Sequence, residues 1–256
     1  VDGVIRGDGE RPLLQLAQAL RDGTDLAAVD NLCWRRDGEV AINPQRYVAT
    51  TADLDGLRFS RYHLLDHYDV YLEEMGLPYF YLTGVGRTGN NLLMRKMTRL
   101  FPVEVGRGCM MNCTWCGGGR QGQKAIAERN RVQWRSHEGV LADVEHAMQY
   151  GVESIGLFFD PVPGQSQYYR ELFAKIRERG LKLDCYFESW GLPDDAFLEA
   201  FKETFPGPES VVSMSPESAV EAVRKKNKSF FFTNEQMERV LTKMEELELG
   251  ADLFFA

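Results

Sequence analysis

From about Leu100 onward the sequence keeps a regular beat of strand-like and helical segments. Strand-like runs fall at residues 101–106, 154–160, 182–188, 210–215 and 252–255. Helical patterns lie between them at residues 136–150, 167–179, 194–205 and 233–249. Thr233 with Gln236 reads as a capping box for the last helix, and Gly250 as its stop. Strands alternating with helices fold as right-handed β-α-β units on a parallel sheet. Five such strands without a closing partner predict an α/β chain with an incomplete (β/α) barrel over residues 100–256. Active sites on such folds sit at the carboxyl ends of the strands, so the residues just past each strand are the ones to read chemically.

The first hundred residues read differently. Residues 11–21 carry Leu and Ala at helical spacing, with Pro12 suited to a first turn. Asp37-Gly38 between two alternating runs predicts a hairpin over residues 32–43. Residues 60–75 read as a helix closed by Gly76 and Pro78, and residues 77–99, rich in Gly and aromatics, as a linker. Both ends look cut. Residues 1–5 read as a strand already under way, and residues 251–256 as an apolar strand with nothing after it. The expectation is an excerpt of a longer protein. An exposed edge at Leu253, Phe254 and Phe255 would then call for a dimer across it, a lattice contact or further chain.

Composition narrows the function classes. With 30 Lys and Arg against 38 Asp and Glu, the net charge of −8 disfavours a dedicated nucleic-acid binder. No apolar run approaches the ~20 residues of a spanning helix, and the charged, Gly-rich start is not a signal peptide. Of five cysteines, Cys109, Cys113 and Cys116 cluster with C-x-x-x-C-x-x-C spacing just after the first barrel strand. Clustered thiols without secretion signals read as metal ligands in a reducing, cytoplasmic compartment. Gly106 and Gly108 let the chain turn tightly on entry, and Gly117, Gly118 and Gly119 on exit. Three thiolates leave one iron of a four-iron cluster open to a substrate or cofactor, whereas electron-carrying cubanes usually take four. Structural zinc would need a fourth ligand; Cys33 and Cys185 are distant, and no His lies within twenty residues of the loop.

This loop resembles that of the radical S-adenosylmethionine (SAM) family, whose signature is C-x-x-x-C-x-aromatic-C. Trp115 fills the aromatic place and joins the cofactor side of the site. The resemblance implies that Cys109, Cys113 and Cys116 hold a 4Fe–4S cluster and that SAM chelates its open iron. One electron from the cluster then cleaves SAM to methionine and a 5′-deoxyadenosyl radical. It further implies a small-molecule substrate and an electron donor of the flavodoxin or ferredoxin type. In the family the end of the second strand helps hold the SAM amino group. The usual Gly-Gly-Glu is absent there, and Asp160 stands as the acceptor, the alternative being a strand-end Asp before a Pro turn. At the end of the fourth strand Ser215 and Glu217 resemble the residues that contact SAM ribose or carboxylate. Alternatively, Ser215 caps a helix begun by Pro216.

The N-terminal residues, with Asp8-Gly9-Glu10 and the later hairpin, resemble the tail of the cobalamin-binding domain that precedes the barrel in one large subclass. Asp8 replaces the first Glu of the usual Gly-Glu-Gly-Glu. This divides the chain into a cobalamin-binding-like tail (1–76), a linker (77–99) and the barrel (100–256). The subclass's cobalamin-ligating Asp-x-His-x-x-Gly motif is not in these residues and would lie upstream of Val1, so cobalamin is an expectation for the full-length protein alone. Methyl transfer, ring rearrangement and oxidative cyclisation all stay open. Two rivals are a tRNA methylthiotransferase-like enzyme and a non-catalytic iron–sulfur or zinc module. Gly84 to Gly89 matches G-x-G-x-x-G without the β-α-β context that a nucleotide site requires. His63 and His67 sit at i, i+4 on the expected helix without a third ligand, and the basic run 224–228 reads as a solvated turn.

Overall fold

The computed structural model describes residues 2–74, 77–83 and 91–255. A small antiparallel sheet comes first, built from β1 (Gly3–Ile5), β2 (Leu32–Arg36) and β3 (Glu39–Ile42), with α1 (Glu10–Asp22) between β1 and β2. Its hairpin turns on Asp37 and Gly38, with φ of 53° and 87°. Both are positive, as the type I′ turn that matches strand twist requires. Ala19, Val29 and Leu32 make its own small core. Asn31 ties the start of β2 to the segment after β3. Fully buried, it donates to the Tyr47 carbonyl at 2.8 Å and accepts from the Arg46 and Tyr47 amides at 3.0 and 3.1 Å.

After α2 (Thr51–Gly56) the expected single helix over 60–75 is broken. A short 3-10 turn (Tyr62–Leu64) and α3 (Tyr68–Glu74) replace it, because His67 adopts φ of 59° between them. His63 and His67 therefore do not share a helix face, and His63 Nδ1 lies 3.2 Å from the Tyr150 hydroxyl.

The segment read as a linker carries β4 (Leu77–Thr83) and β5 (Asn91–Met97), an antiparallel pair. The G-x-G-x-x-G match lies outside the described residues. Next come β6 (Leu100–Pro102), β7 (Gly106–Arg107), α4 (Arg120–Ala127), β8 (Gln133–Trp134), α5 (His137–Met148) and β9 (Ser154–Leu157). The chain continues through α6 (Gln167–Glu178), β10 (Asp184–Ser189), α7 (Asp195–Thr204), β11 (Val211–Glu217), α8 (Glu221–Asn227), α9 (Asn234–Glu246) and β12 (Gly250–Phe255). The large sheet has the order β5-β4-β12-β11-β10-β9-β6. Its five strands from β6 to β12 are parallel and lie in sequence order, as expected of an incomplete barrel. The last of them is not an open edge. β12 pairs antiparallel with β4 through Ala251 and Leu82, so the hairpin satisfies backbone groups that the sequence reading left bare. The first barrel strand is shorter than its apolar run. At Gly106 a Cβ would stand 2.6 Å from the Gln133 carbonyl, and the chain leaves the sheet there to pair β7 with β8.

The parallel strands present alternate residues to two faces. Ile155, Leu157, Cys185, Phe187, Val212 and Met214 pack against the helices. Cys185 is thus a buried member of the helix-side core, not an inward-facing thiol of the barrel. The rings of Phe173, Phe197, Phe201 and Phe205 interlock under α6 and α7, with centroids 5.1 to 6.0 Å apart. α5 is tied to the segment before the cysteines by Arg135, which is fully buried. It pairs with Asp143 at 2.7 Å and donates to the Glu104 carbonyl at 3.0 Å. Among the described residues no helix is long and apolar enough to cross a membrane.

Removing a ring from this interlocked set leaves a cavity that the rigid sheet cannot close. Phe201→Ala is expected to cost about 3–5 kcal/mol. Truncating the exposed Leu14 to Ala should stay within about 0.5 kcal/mol. Denaturant unfolding of the two variants checks the contrast.

Candidate functional site

The carboxyl ends of the parallel strands converge with the cysteine loop. Between Gly108 and Gly119 that loop has no regular ladder, so its backbone groups are met by neighbours. Gly108 has φ of 98°, a conformation that suits glycine. At Gly119 a Cβ would lie 2.6 Å from the Met111 carbonyl, whereas Gly117 has nothing within 4 Å. All three thiols accept a backbone N–H: Cys109 from Met111 at 3.3 Å, Cys116 from Gly118 at 3.3 Å and Cys113 from Ser229 at 3.5 Å. Cys109 and Cys113 are half-buried and Cys116 is exposed. Burial pushes the Cys109 thiol up, and the charges of Cys116 and Cys113 push in the same direction. Trp115, between two of the cysteines, is 46% exposed. Among the described residues no three His, Cys, Asp or Glu side chains stand around one point as for a single metal ion.

The loop is held by a segment that the sequence reading set aside. Thr114 donates its amide to the Asn227 carbonyl at 2.9 Å and its hydroxyl to Asn227 Oδ1 at 2.8 Å. The Asn112 amide donates to Ser229 Oγ at 2.8 Å. The basic run 224–228 is therefore no solvated turn. Arg224 is fully buried and donates to the Phe232 and Ser218 carbonyls and to Asn234 Oδ1. Lys228, with a side chain 3% exposed, reaches the Ser215 carbonyl at 2.5 Å and Glu217 Oε1 at 3.6 Å. Burial pulls its ammonium below the ordinary lysine range, and Glu217 and Cys113 oppose that pull. Arg224 lies within α8 and Lys228 is the extended residue that ends it, so no helical spacing marks the pair.

Ser215 and Glu217 come together beside Lys228. β11 runs through both, with a bulge between Met214 and Glu217, and α8 starts four residues later at Glu221. The helix-cap alternative for Ser215 is thereby overturned, because the chain is still extended at Pro216. Ser215 Oγ is buried and has no hydrogen-bond partner among the described residues. Glu217 has φ of 62°. A non-glycine residue in that region is strained, and such strain gathers at functional sites.

Asp160 makes its hydrogen bonds elsewhere, yet it is near enough for its charge to act on Lys228 and Cys109. Its Oδ2 accepts from the Trp190 amide at 2.8 Å and from Ser189 Oγ at 3.2 Å, which ties the end of β9 to the end of β10. Burial raises its pKa, and the Trp190, Ser189 and Gly191 donors offset part of that rise. Glu188, unnoticed in the sequence, sits on β10 and accepts from Trp190 Nε1 at 3.1 Å. Burial raises its carboxyl too, against the lowering effect of Trp190.

Comparison with known proteins gives this geometry a setting. The radical SAM superfamily model matches residues 103–251. A curated relative, the uncharacterized methyltransferase PH0819 of Pyrococcus horikoshii, is 25% identical over 186 residues, covering 72% of this chain and 33% of the relative. Among solved structures, the radical SAM methyltransferase TsrM of Kitasatospora setae superposes with a TM-score of 0.64 at 17% identity, over 98% of this chain and 45% of TsrM. That structure was solved with tryptophan substrate and a SAM analogue bound. OxsB, a cobalamin-dependent SAM radical enzyme solved with aqua-cobalamin and SAM, gives 0.64 at 15% identity over 99% of this chain and 33% of OxsB. These likenesses show the fold, N-terminal region included. The chain spans about a third of the curated relative and less than half of either enzyme.

Asp160 carries a pH signature of its own. Its folded pKa lies above the ordinary 3.8, so the native state holds the charged form poorly. That stability is present in acid and is lost as pH rises through the folded value. Asp160→Asn keeps an acceptor for Trp190 and removes the charge. Its stability relative to wild type is expected to rise between the carboxylate range and neutrality, as read from urea midpoints at several pH values. A difference that stays constant with pH would contradict the assignment.

Proposed function

The chain belongs to the radical SAM superfamily, and from that premise we propose that it holds the catalytic core of an enzyme that cleaves SAM reductively at a three-cysteine 4Fe–4S cluster. The observation that carries this reading is the loop itself. Cys109, Cys113 and Cys116 lie on one span at the carboxyl end of a parallel sheet, and each sulfur accepts a backbone N–H. Hydrogen bonds to sulfur are a means of tuning the potential of iron–sulfur clusters. When bound, the cluster would supply one electron to SAM chelated on the iron that lacks a cysteine.

The chain's own residues would bind and orient the SAM molecule. Ser215 Oγ is buried without a partner and so has hydrogen-bonding capacity to offer a ligand. Glu217 would accept from ribose hydroxyls, which suits a carboxylate. Lys228, its side chain 3% exposed, would meet the SAM carboxylate and at present neutralises Glu217. Trp115 would flank the cofactor from the loop. Asp160 would tie the ends of β9 and β10 through Oδ2, which takes both donors, and Oδ1 would be the oxygen that accepts from the SAM ammonium.

For the whole protein we extend the reading to cobalamin-associated methyl transfer on a small molecule, with electrons from a flavodoxin- or ferredoxin-type donor. The fold likeness to TsrM and OxsB over nearly all of this chain supports that extension.

Anaerobic reconstitution is expected to load about four irons per chain. Alanine at Cys109, Cys113 or Cys116 should abolish loading, while Cys33→Ala and Cys185→Ala should not. Gly119→Ala should also lose iron, because its Cβ would collide with Met111 at 2.6 Å, and Gly117→Ala, with open space around it, should not. Full loading in a triple Ala variant of the loop cysteines would falsify the cluster assignment.

SAM affinity is a separate test. Glu217→Ala is expected to weaken SAM binding to the loaded chain by about 1–2 kcal/mol, the scale of hydrogen bonds to a charged group. An unchanged dissociation constant by calorimetry would make Glu217 a structural partner of Lys228 alone.

A further inference from the structure

Both flanks of the cysteine loop are fastened to one carboxylate in the N-terminal region. Asp8 follows β1 and is 6% exposed. Its Oδ1 accepts from Arg107 Nη1 at 3.0 Å, two residues before Cys109. Its Oδ2 accepts from the Ala49 amide at 2.7 Å and from Arg129 Nη2, just past α4 on the far side of the loop. Glu10 holds the other amino group of Arg107 at 2.7 Å. Gly7 makes the approach feasible. Its φ is 69°, and a Cβ there would stand 2.9 Å from Ala127 Cα at the end of α4. Gln45 Nε2 adds a bond to the Ile126 carbonyl at 2.8 Å.

The pattern is more specific than domain packing. Three donors converge on the two oxygens of a buried carboxylate, one from the residue that leads into the loop and one from just past the helix that follows it. Arg129 has a side chain only 3% exposed, and its Nε and Nη1 have no partner among the described residues. Among the described residues Asp8 is therefore its charge partner, and without Asp8 a buried cation would stand alone, an arrangement that is strongly destabilising. We infer that Asp8 is a positioning residue for the cysteine loop: it fixes the start of the loop together with the far end of α4, the helix that follows it, and so makes the geometry of the three thiols depend on the region upstream. This rests on the cluster reading for its consequence but not for its structural half.

The test compares Asp8→Asn, Asp8→Glu and the wild type. Asparagine keeps the size but offers one acceptor oxygen, so its amide N–H group must face Arg107 or the Arg129 and Ala49 donors. Glutamate keeps two acceptor oxygens. In the cluster-free chain, Asp8→Asn is expected to speed hydrogen exchange across residues 107–119 and 126–129 by about tenfold or more, the scale of one lost charge-assisted hydrogen bond. Amides of β9, β10 and β11 should keep their protection, and Asp8→Glu should return most of the loop protection. In the reconstituted chain the electron paramagnetic resonance signal of the reduced cluster should shift in Asp8→Asn and return in Asp8→Glu. Wild-type exchange rates in the Asp8→Asn loop would overturn the proposal. So would equal acceleration in the sheet, or an Asp8→Glu variant no better than Asp8→Asn. The exchange measurement needs no iron, so a wild-type chain that fails to load a cluster would refute the cluster reading while leaving the exchange result to decide this one.

Discussion

Between β7 and α4 the chain crosses the mouth of the sheet without a ladder of its own, and its amides and carbonyls must be satisfied from outside. The rest of the molecule supplies what the loop lacks. Asn227 and Ser229 bind it from the end of α8, and the Pro161 carbonyl accepts from the Met110 amide at 3.3 Å past the end of β9. Two arginines, Arg107 and Arg129, fix its flanks. Three thiols are thereby held on a span that would otherwise be free to spread. The parallel sheet matters here as the scaffold that brings the ends of β9, β11 and α8 to one place.

Several of these supports are buried charges. Arg135 with Asp143, Arg224 with backbone carbonyls, and Lys228 with Glu217 are each removed from water. Burying a charge stabilises a fold only when its partners are well placed, and a well-packed apolar replacement is often as stable. Their positions suggest another use. Arg135 joins α5 to the segment before the cysteines, while Arg224 and Lys228 lock neighbouring elements, α8 to the start of α9 and α8 to β11. Charged hydrogen bonds have directional geometry that apolar contacts lack, and a site that must align a cofactor needs direction.

Much of the barrel was legible because each element declares its own period. Apolar spacing placed a helix at 167–179, and α6 runs Gln167–Glu178. The Asp37-Gly38 turn was equally local. The failures are matters of partnership and of single backbone conformations that the local pattern does not show. Nothing near residues 77–99 marks a hairpin that pairs with β12, because that pairing joins Leu82 to Ala251. The break before α3 depends on one residue, His67, with φ of 59°, and no turn signal announces it. Charges misled most. Lys225 and Lys226 do look like a solvated run, yet Arg224 and Lys228 on either side are buried, because groups on the flanking segments fold back and take up their donors. Spacing and resemblance singled out the three cysteines and the pair Ser215 and Glu217 as candidates. Asn227 and Ser229, which hold the loop, and Lys228, which holds the end of β11, were not singled out.

The central claim is that the loop holds a cluster with one iron left open for SAM. Mössbauer spectroscopy on isotope-labelled iron, in the anaerobically reconstituted chain with and without SAM, tests it most directly. About one iron in four is expected to differ from the rest, and to shift when SAM is added while the others stay unchanged. Four equivalent irons, or a spectrum indifferent to SAM, would contradict the account.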